Sequence, residues 1–125
     1  MTDHDHKLDV IAAYVDGFDR ADAEALADLY AEEATVEDPV GAARIMGRDA
    51  IRGFYRTAVA RGIKLEMSGS PRTSGDSVAF PFHVHRQSGG RDEIIEVIDV
   101  FRLDAEGRIV EMRAYWGPQN IKPRP

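Results

Sequence analysis

The chain contains no cysteine among its 125 residues, so disulfides, thiol nucleophiles and thiolate metal sites are all excluded. No segment approaches the roughly 18 consecutive apolar residues of a membrane-spanning helix. The opening stretch "MTDHDHKLDV" lacks the basic region and apolar run of a signal peptide. We therefore expect a cytoplasmic protein with no membrane partner.

Basic residues are also in short supply. Lysine and arginine number 16 against 22 acidic residues, which gives a formal net charge of −6. Nucleic acids and anionic membranes require clustered positive charge, so this balance argues against both as partners. The length predicts one domain, residues 1–125, and the 43% apolar content is that of a globular protein with a real core.

The first half of the chain has helical periodicity. Apolar residues at spacings of three and four predict a first helix, with Tyr14 on its flank and Gly17 as its weak point: Leu8, Ile11, Val15 and Phe18. Asp22 is the expected N-cap of a second helix that carries Leu26, Leu29 and Tyr30. A third helix is expected after "GRDA", ending at Gly62, and its buried face is Ile51, Phe54, Tyr55 and Ala58.

The second half has the two-residue period of β-strands. The stretches "SVAFPFHVHR", "EIIEVIDVFRL" and "IVEMRAYWG" are separated by turn signals and predict antiparallel hairpins. Helices followed by hairpins indicate an α+β fold in which the helices pack on one face of a curved sheet. The two prolines of the C-terminal "IKPRP" predict that this segment has no regular structure.

The sheet face turned away from the helices is predicted to be an interface. Its members on the long strand are too apolar for simple exposure to water: Ile94, Glu96, Ile98 and Val100. We therefore expect a homodimer formed through this face.

Asp99 stands out because its neighbours on the same strand face are all apolar: Ile95, Val97, Phe101 and Leu103. A carboxylate there would be strongly disfavoured, and no lysine or arginine shares the face, so we expect Asp99 to be protonated and to donate a hydrogen bond. The alternative is an acid at a bulge or strand end that is bonded to the backbone of a loop.

In an extended chain, Asp38 lies on the same strand face as Ala34 and Val36, whereas its neighbour Glu37 lies on the opposite face. Taken alone, the Asp38–Pro39 pair is typical of an ordinary turn or N-cap, and its peptide bond is a candidate for the cis form. Tyr14 alone would be a core residue whose hydroxyl finds any acceptor. Together, two carboxyl groups in contrasting environments and a tyrosine are the components of a proton-transfer site, with Asp38 as the ionised base.

His83 and His85 have a spacing that could serve a metal ion. Their parity is opposite to that of Phe82, so they are expected to point away from the cavity, and no third ligand is evident. We predict no metal site at these histidines.

The chain resembles the steroid Δ5-3-ketoisomerase (ketosteroid isomerase) family over essentially its whole length. The resemblance rests on five stretches: "YVDGFDRAD", "DLYAEEATVEDPVG", "GRDAIRGFYR", "VIDVFRLDAEGRIVEMRAYWG" and the late "NI". It implies a single ketosteroid-isomerase-like domain with the cone-shaped, nuclear transport factor 2-like (cystatin-like) fold: a curved, mixed or antiparallel sheet packed with three helices. It also implies a homodimer that acts on a small hydrophobic steroid.

The resemblance further implies roles for individual residues. Asp38 matches the general base, while Tyr14 and Asp99 match the two donors of the oxyanion hole. Tyr30 and Tyr55 match tyrosines of a supporting hydrogen-bond network, and the positions that match the steroid cavity are Phe54, Phe82, Phe101, Met112 and Trp116. This family is itself a known example of a carboxylic acid kept neutral by its site, so the assignment of Asp99 agrees with an established case.

The implied activity is isomerisation of a β,γ-unsaturated 3-ketosteroid to the conjugated enone, a reaction expected to need no metal and no organic cofactor. Related scaffolds also carry epoxide hydrolases, dehydratases, cyclases and non-catalytic modules that bind small hydrophobic ligands, and the fold alone does not choose among them. An epoxide hydrolase or dehydratase is expected to need a His–Asp pair or an Asp–Arg–Asp relay. The residues predicted to face the cavity include no histidine and no arginine.

Overall fold

The computed structural model describes residues 4–124. Three helices occupy the first half: α1 (His4–Asp19), α2 (Ala23–Asp28) and α3 (Arg48–Ala60). The remaining elements of residues 4–124 are eight strands and one 3-10 turn (Pro118–Asn120). The strands are β1 (Tyr30–Glu37), β2 (Ile45–Met46), β3 (Lys64–Met67), β4 (Arg72–Ser74), β5 (Ser77–Ser88), β6 (Arg91–Leu103), β7 (Ile109–Tyr115) and β8 (Ile121–Pro123).

The strands form one curved, mixed sheet in the order β2-β1-β7-β6-β5-β3, with β4 paired to β5 and β8 paired to β6. Strands β1 and β7 are parallel, and the other pairs are antiparallel. The helices and the concave side of the sheet enclose the core. The α+β cone expected from the sequence is confirmed. No helix within residues 4–124 is long and apolar enough to cross a membrane.

The second helix is shorter than its apolar spacing predicts. Asp22 caps it as expected, since its Oδ1 accepts a hydrogen bond of 3.0 Å from the Ala25 amide. The prediction that Leu29 and Tyr30 belong to this helix is wrong, because Leu29 is its C-cap and Tyr30 begins β1. Tyr30 follows the buried Leu26 by four residues, which is a helical spacing, although it belongs to a strand whose register against β7 shifts between Tyr30 and Thr35.

Gly17 has a packing role in α1 that outweighs its low helix propensity. A Cβ at this position would lie 2.7 Å from Cδ2 of the fully buried Leu26. The absence of a side chain therefore lets α2 approach α1 closely enough to bury Leu26.

The C-terminal segment is also more regular than predicted. Residues 121–123 form strand β8, in which Ile121 pairs with Ile95 and Pro123 pairs with Glu93. Pro123 is the last residue of an edge strand, where its missing amide hydrogen leaves the ladder intact. The expectation of no regular structure is wrong for these three residues.

The two long strands alternate as predicted. Val78, Phe80 and Phe82 of β5 are buried, as are the alternate residues from Ile95 to Leu103 of β6. On the opposite face of the sheet, Ile98 is 47% exposed and its partner across β7, Tyr115, is 43% exposed. This convex face thus presents large apolar side chains to solvent in the single chain.

Candidate active site

A cavity of about 300 Å³ lies between α1, α3 and the concave face of the sheet. Its wall is mostly apolar, with its polar groups at particular points. The lining residues are Tyr14, Phe18, Asp38, Phe54, Tyr55, Thr57, Ala58, Arg61, Ile63, Leu65, Phe82, Val84, Ile95, Val97, Asp99 and Trp116. The volume of this cavity and its mostly apolar lining are typical of a site that binds a small molecule.

The three polar residues singled out in the sequence all line this cavity. Tyr14 is contributed by α1, Asp38 follows β1 directly, and Asp99 lies in the middle of β6. The fold thus brings one phenol and two carboxyl groups from three separate elements to one hollow.

Asp99 is only 1% exposed, and its Oδ2 has no hydrogen-bond partner among residues 4–124. Burial, and next the charge of Asp38, raise the pKa of Asp99 well above its ordinary value, while the Tyr14 hydroxyl opposes them. The neutral acid is therefore favoured, and its O–H can serve as a donor to a group inside the cavity.

Asp38 lies in a different environment. Its Oδ1 accepts a hydrogen bond of 2.8 Å from the indole Nε1 of Trp116. Burial raises the pKa of Asp38, and the bond from Trp116 opposes that effect by stabilising the carboxylate. The Asp38–Pro39 peptide bond is cis, as the sequence suggested.

Glu37 turns away from the cavity and anchors the segment that carries Asp38. Its Oε2 accepts a 2.7 Å hydrogen bond from the Gly41 amide, and its Oε1 lies 3.5 Å from Nε of Arg113. The Gly41 amide, more than any other neighbour, lowers the pKa of Glu37. The same segment is tied to β7 by the Val40 amide, which donates to the Ala114 carbonyl at 2.8 Å. The opposite parities of Glu37 and Asp38 thus correspond to an anchoring acid and a cavity acid.

The tyrosines predicted to support the site form a chain of hydroxyl groups. Those of Tyr30 and Tyr55 are 2.5 Å apart, and the Tyr55 hydroxyl donates to that of Tyr14 at 3.4 Å. Burial raises the pKa of Tyr14 well above its ordinary value, so the phenol remains a donor. Tyr55 lines the cavity, whereas Tyr30 is fully buried behind it.

Three of the five predicted cavity positions are on its wall: Phe54, Phe82 and Trp116. The other two, Phe101 and Met112, are fully buried and do not line it. They pair with each other across β6 and β7, and the ring of Tyr14 stands edge-on to Phe101 at a centroid distance of 5.1 Å. Phe101 therefore supports the ring of Tyr14 from the core.

The sequence reasoning missed part of the wall. Ile95 and Val97 share a strand face with Asp99 and could have been assigned to the cavity from that parity alone. The expectation of no arginine in the cavity is wrong, because Arg61 also lines it. Arg61 is exposed and follows α3, so its side chain is at the mouth and not beside the two acids.

Metal ligands do not cluster in the part of the chain from residue 4 to residue 124, where no three acidic or histidine side chains are placed to hold an ion. His85 instead contacts Glu66, with its Nε2 2.9 Å from Oε1 on the neighbouring strand. This histidine is therefore accounted for by a cross-strand hydrogen bond.

Comparison with known proteins identifies the family and two relatives that carry different names. Residues 11–112 match the family described as SnoaL-like domain. The chain is 37% identical over 115 residues to a protein of Nocardioides simplex named steroid Delta-isomerase, which covers 92% of this chain and 93% of that protein. A solved structure of SalBIII, described as an epoxide hydrolase/cyclase-like enzyme in pyran ring formation, superposes with a TM-score of 0.91 at 29% identity, covering 99% and 100% of the two chains.

Proposed function

The chain belongs to the SnoaL-like domain family, which has the nuclear transport factor 2-like fold, and on this basis we propose that it is a steroid Δ-isomerase. The proposed reaction moves a ring double bond of a β,γ-unsaturated 3-ketosteroid into conjugation with the ketone. The similarity to the Nocardioides simplex isomerase supports the class of reaction, and the residues of the cavity support its individual steps.

The observation that carries the proposal is the grouping of Tyr14, Asp38 and Asp99 in one apolar cavity. Asp38 accepts a hydrogen bond from an indole, whereas the buried Asp99 has an unpartnered oxygen within the described chain. Two carboxyl groups so differently solvated can hold different protonation states at one pH. An ionised base and a neutral donor are what a proton transfer next to a ketone requires.

In the proposed mechanism, Asp38 removes a proton from the carbon between the carbonyl group and the alkene. The electron pair of that C–H bond forms a new double bond, and the carbonyl oxygen becomes anionic. Asp38 then returns the proton at the far end of the dienolate, which gives the conjugated enone. A positioned general base of this kind is usually worth about 10²- to 10⁴-fold in rate.

Tyr14 and protonated Asp99 are proposed to donate hydrogen bonds to the oxygen as its charge develops. Both are almost fully buried, so water does not screen these bonds. Donors held in place before the reaction stabilise the anion without reorganising, and each is commonly worth about 10²- to 10³-fold. The hydroxyl chain from Tyr30 through Tyr55 helps hold Tyr14 in place.

The apolar part of the cavity is proposed to bind the steroid skeleton. Phe54, Phe82 and Trp116 supply aromatic surface along the wall. Because the proton that Asp38 removes is the one that it returns, the proposed reaction consumes no co-reactant and requires no cofactor.

The decisive experiment follows ultraviolet absorbance when the protein is mixed with an unconjugated 3-ketosteroid. We expect the absorbance of the conjugated enone to appear, and the rate to fall by about 10²- to 10⁴-fold in Asp38→Asn. The control is Asp9→Asn, which makes the same change on the exposed side of α1. Near-normal turnover by Asp38→Asn would refute Asp38 as the base, and tight binding without conversion would favour a non-catalytic binding module.

The similarity to SalBIII favours one second candidate, a cyclisation in which a hydroxyl group opens an epoxide. Asp38 would take the hydroxyl proton as that oxygen bonds to an epoxide carbon. The epoxide C–O bond would break, and protonated Asp99 would give its proton to the leaving oxygen. Conversion of an epoxy alcohol to a cyclic ether, without isomerisation of the ketosteroid, would select this candidate.

A further inference from the structure

The mouth of the cavity lies where α3 ends. Among its lining residues only Thr57 and Arg61 are exposed, whereas Tyr14, Tyr55 and Asp99 at the other end are buried. The cavity therefore runs from a buried, proton-transferring end to an open end beside Arg61.

A second cleft of about 490 Å³ adjoins this mouth. It shares Arg61 and Ile63 with the cavity, and the end of β5 adds Arg86, Gln87 and Ser88. Its side chains thus include two guanidinium groups, an amide and a hydroxyl, and no acid is among its lining residues.

The charge of Arg61 is not neutralised within residues 4–124, because its side chain has no hydrogen bond or ion pair there. The neighbouring Arg52 and Arg56 of α3 differ in this respect, since both pair with Glu24 at 2.8 and 2.6 Å. Arg86 pairs with Glu93 at 3.2 Å and keeps further N–H donors. Arg61 is therefore the cation that remains available at the mouth.

We propose that this cleft binds an anionic group, a carboxylate, carried by the substrate at the end remote from its ketone. A guanidinium offers paired N–H donors that match the two oxygens of a carboxylate. The hydroxyl of Ser88 can donate beside it, and so can the second N–H of the Gln87 amide, whose Nε2 already donates to Oδ1 of Asp92 at 3.0 Å. This inference rests on the proposed function, which places the ketone at Tyr14 and Asp99 and so directs the other end of the skeleton towards Arg61. The substrate class is thus an acidic ketosteroid.

The test compares an unconjugated 3-ketosteroid that bears a side-chain carboxylate with its own methyl ester. We expect wild-type kcat/KM to favour the acid by about two- to fivefold, mostly through KM, and to favour it less at high salt. In Arg61→Gln/Arg86→Gln the acid-to-ester ratio should fall to about one. Arg56→Gln, which removes a neighbouring guanidinium that is already paired, is the matched control and should retain the wild-type ratio.

A binding measurement separates this inference from the proposed function. Trp116 is the only tryptophan of the chain and lines the cavity, so its fluorescence reports occupancy without turnover. Titration with a saturated steroid acid and its methyl ester should show the same preference, and the double variant should lose it. If no isomerisation occurs but this preference is found, the anion site is supported and the isomerase proposal fails. If isomerisation occurs but acid and ester bind equally, or the preference survives the double variant, the anion site is refuted.

Discussion

The indole Nε1 of Trp116 donates to Oδ1 of Asp38 across 2.8 Å, joining the residue that follows β7 to the residue that follows β1. Burial raises the pKa of Asp38, and this hydrogen bond opposes the rise. Trp116 therefore both bounds the cavity and tunes the proton affinity of the proposed base.

Removal of this hydrogen bond should shift the pH dependence of the reaction. The base must be ionised, so kcat/KM rises with pH through the pKa of Asp38. Trp116→Phe keeps an aromatic ring but loses the donor, so the pKa of Asp38 should rise and the acidic limb of the profile should move to higher pH. Phe82→Leu changes the same wall without touching Asp38 and should alter KM without moving that limb. An unmoved limb in Trp116→Phe would contradict the tuning role.

Loss of the phenol at the cavity should reduce turnover more than loss of the one behind it. Tyr14→Phe removes a proposed donor to the anionic oxygen, and we expect kcat to fall by about 10²- to 10³-fold. Tyr30→Phe removes only the far end of the hydroxyl chain, so its effect should be much smaller. Steady-state kinetics and circular dichroism of both variants make the comparison. Equal effects of the two changes would contradict the proposed role of Tyr14.

Asp99 should make the folded protein less stable as the pH rises. Its pKa is higher in the folded chain than in the unfolded one, so the folded state binds more protons. The free energy of unfolding therefore decreases as the pH rises from the ordinary pKa of an aspartic acid towards the folded value. Asp99→Asn removes this dependence, so its stability relative to wild type should increase between about pH 4 and about pH 7. Urea unfolding at equal protein concentration tests this, and a difference independent of pH would contradict it.

The homodimer remains a prediction, and it can be tested at the convex face of the sheet. Ile98 and Tyr115 lie opposite each other on β6 and β7 and are both substantially exposed in the single chain. We expect sedimentation of a dimer for wild type and of a monomer for Ile98→Lys. Met46→Lys, an equal change at an exposed position of edge strand β2, should leave the dimer intact. A monomeric wild-type protein at micromolar concentration would refute the prediction.

The fold could be predicted from the sequence in those strands where buried and exposed side chains alternate without interruption. The even parity of Val78, Phe80 and Phe82 identified the buried face of β5 because nothing breaks that strand's period. Tyr30 was misplaced because it lies four residues after Leu26, a spacing that a helix also produces, whereas it begins β1, whose register against β7 shifts between Tyr30 and Thr35. Local periodicity cannot distinguish these cases, because the partner strand that reveals the shift lies some 80 residues later.

The candidate site was predictable for its polar members and less so for its wall. Asp99 could be identified because burying a carboxyl group among apolar neighbours costs free energy, however the strand packs. Phe101 was assigned to the cavity from resemblance, yet the ring of Tyr14 packs against it, a tertiary contact that the spacing along one strand does not contain. Arg61 was missed because its approach to the mouth depends on where α3 ends against the sheet.

The three side chains of the site come from α1, from the residue after β1 and from β6, and the parallel pairing of β1 with β7 joins the early part of the chain to the late part. No short contiguous segment of the chain therefore contains all three of these residues. The proposed active site would consequently be missing from a nascent or partly unfolded molecule, and it would form only when these distant elements fold together.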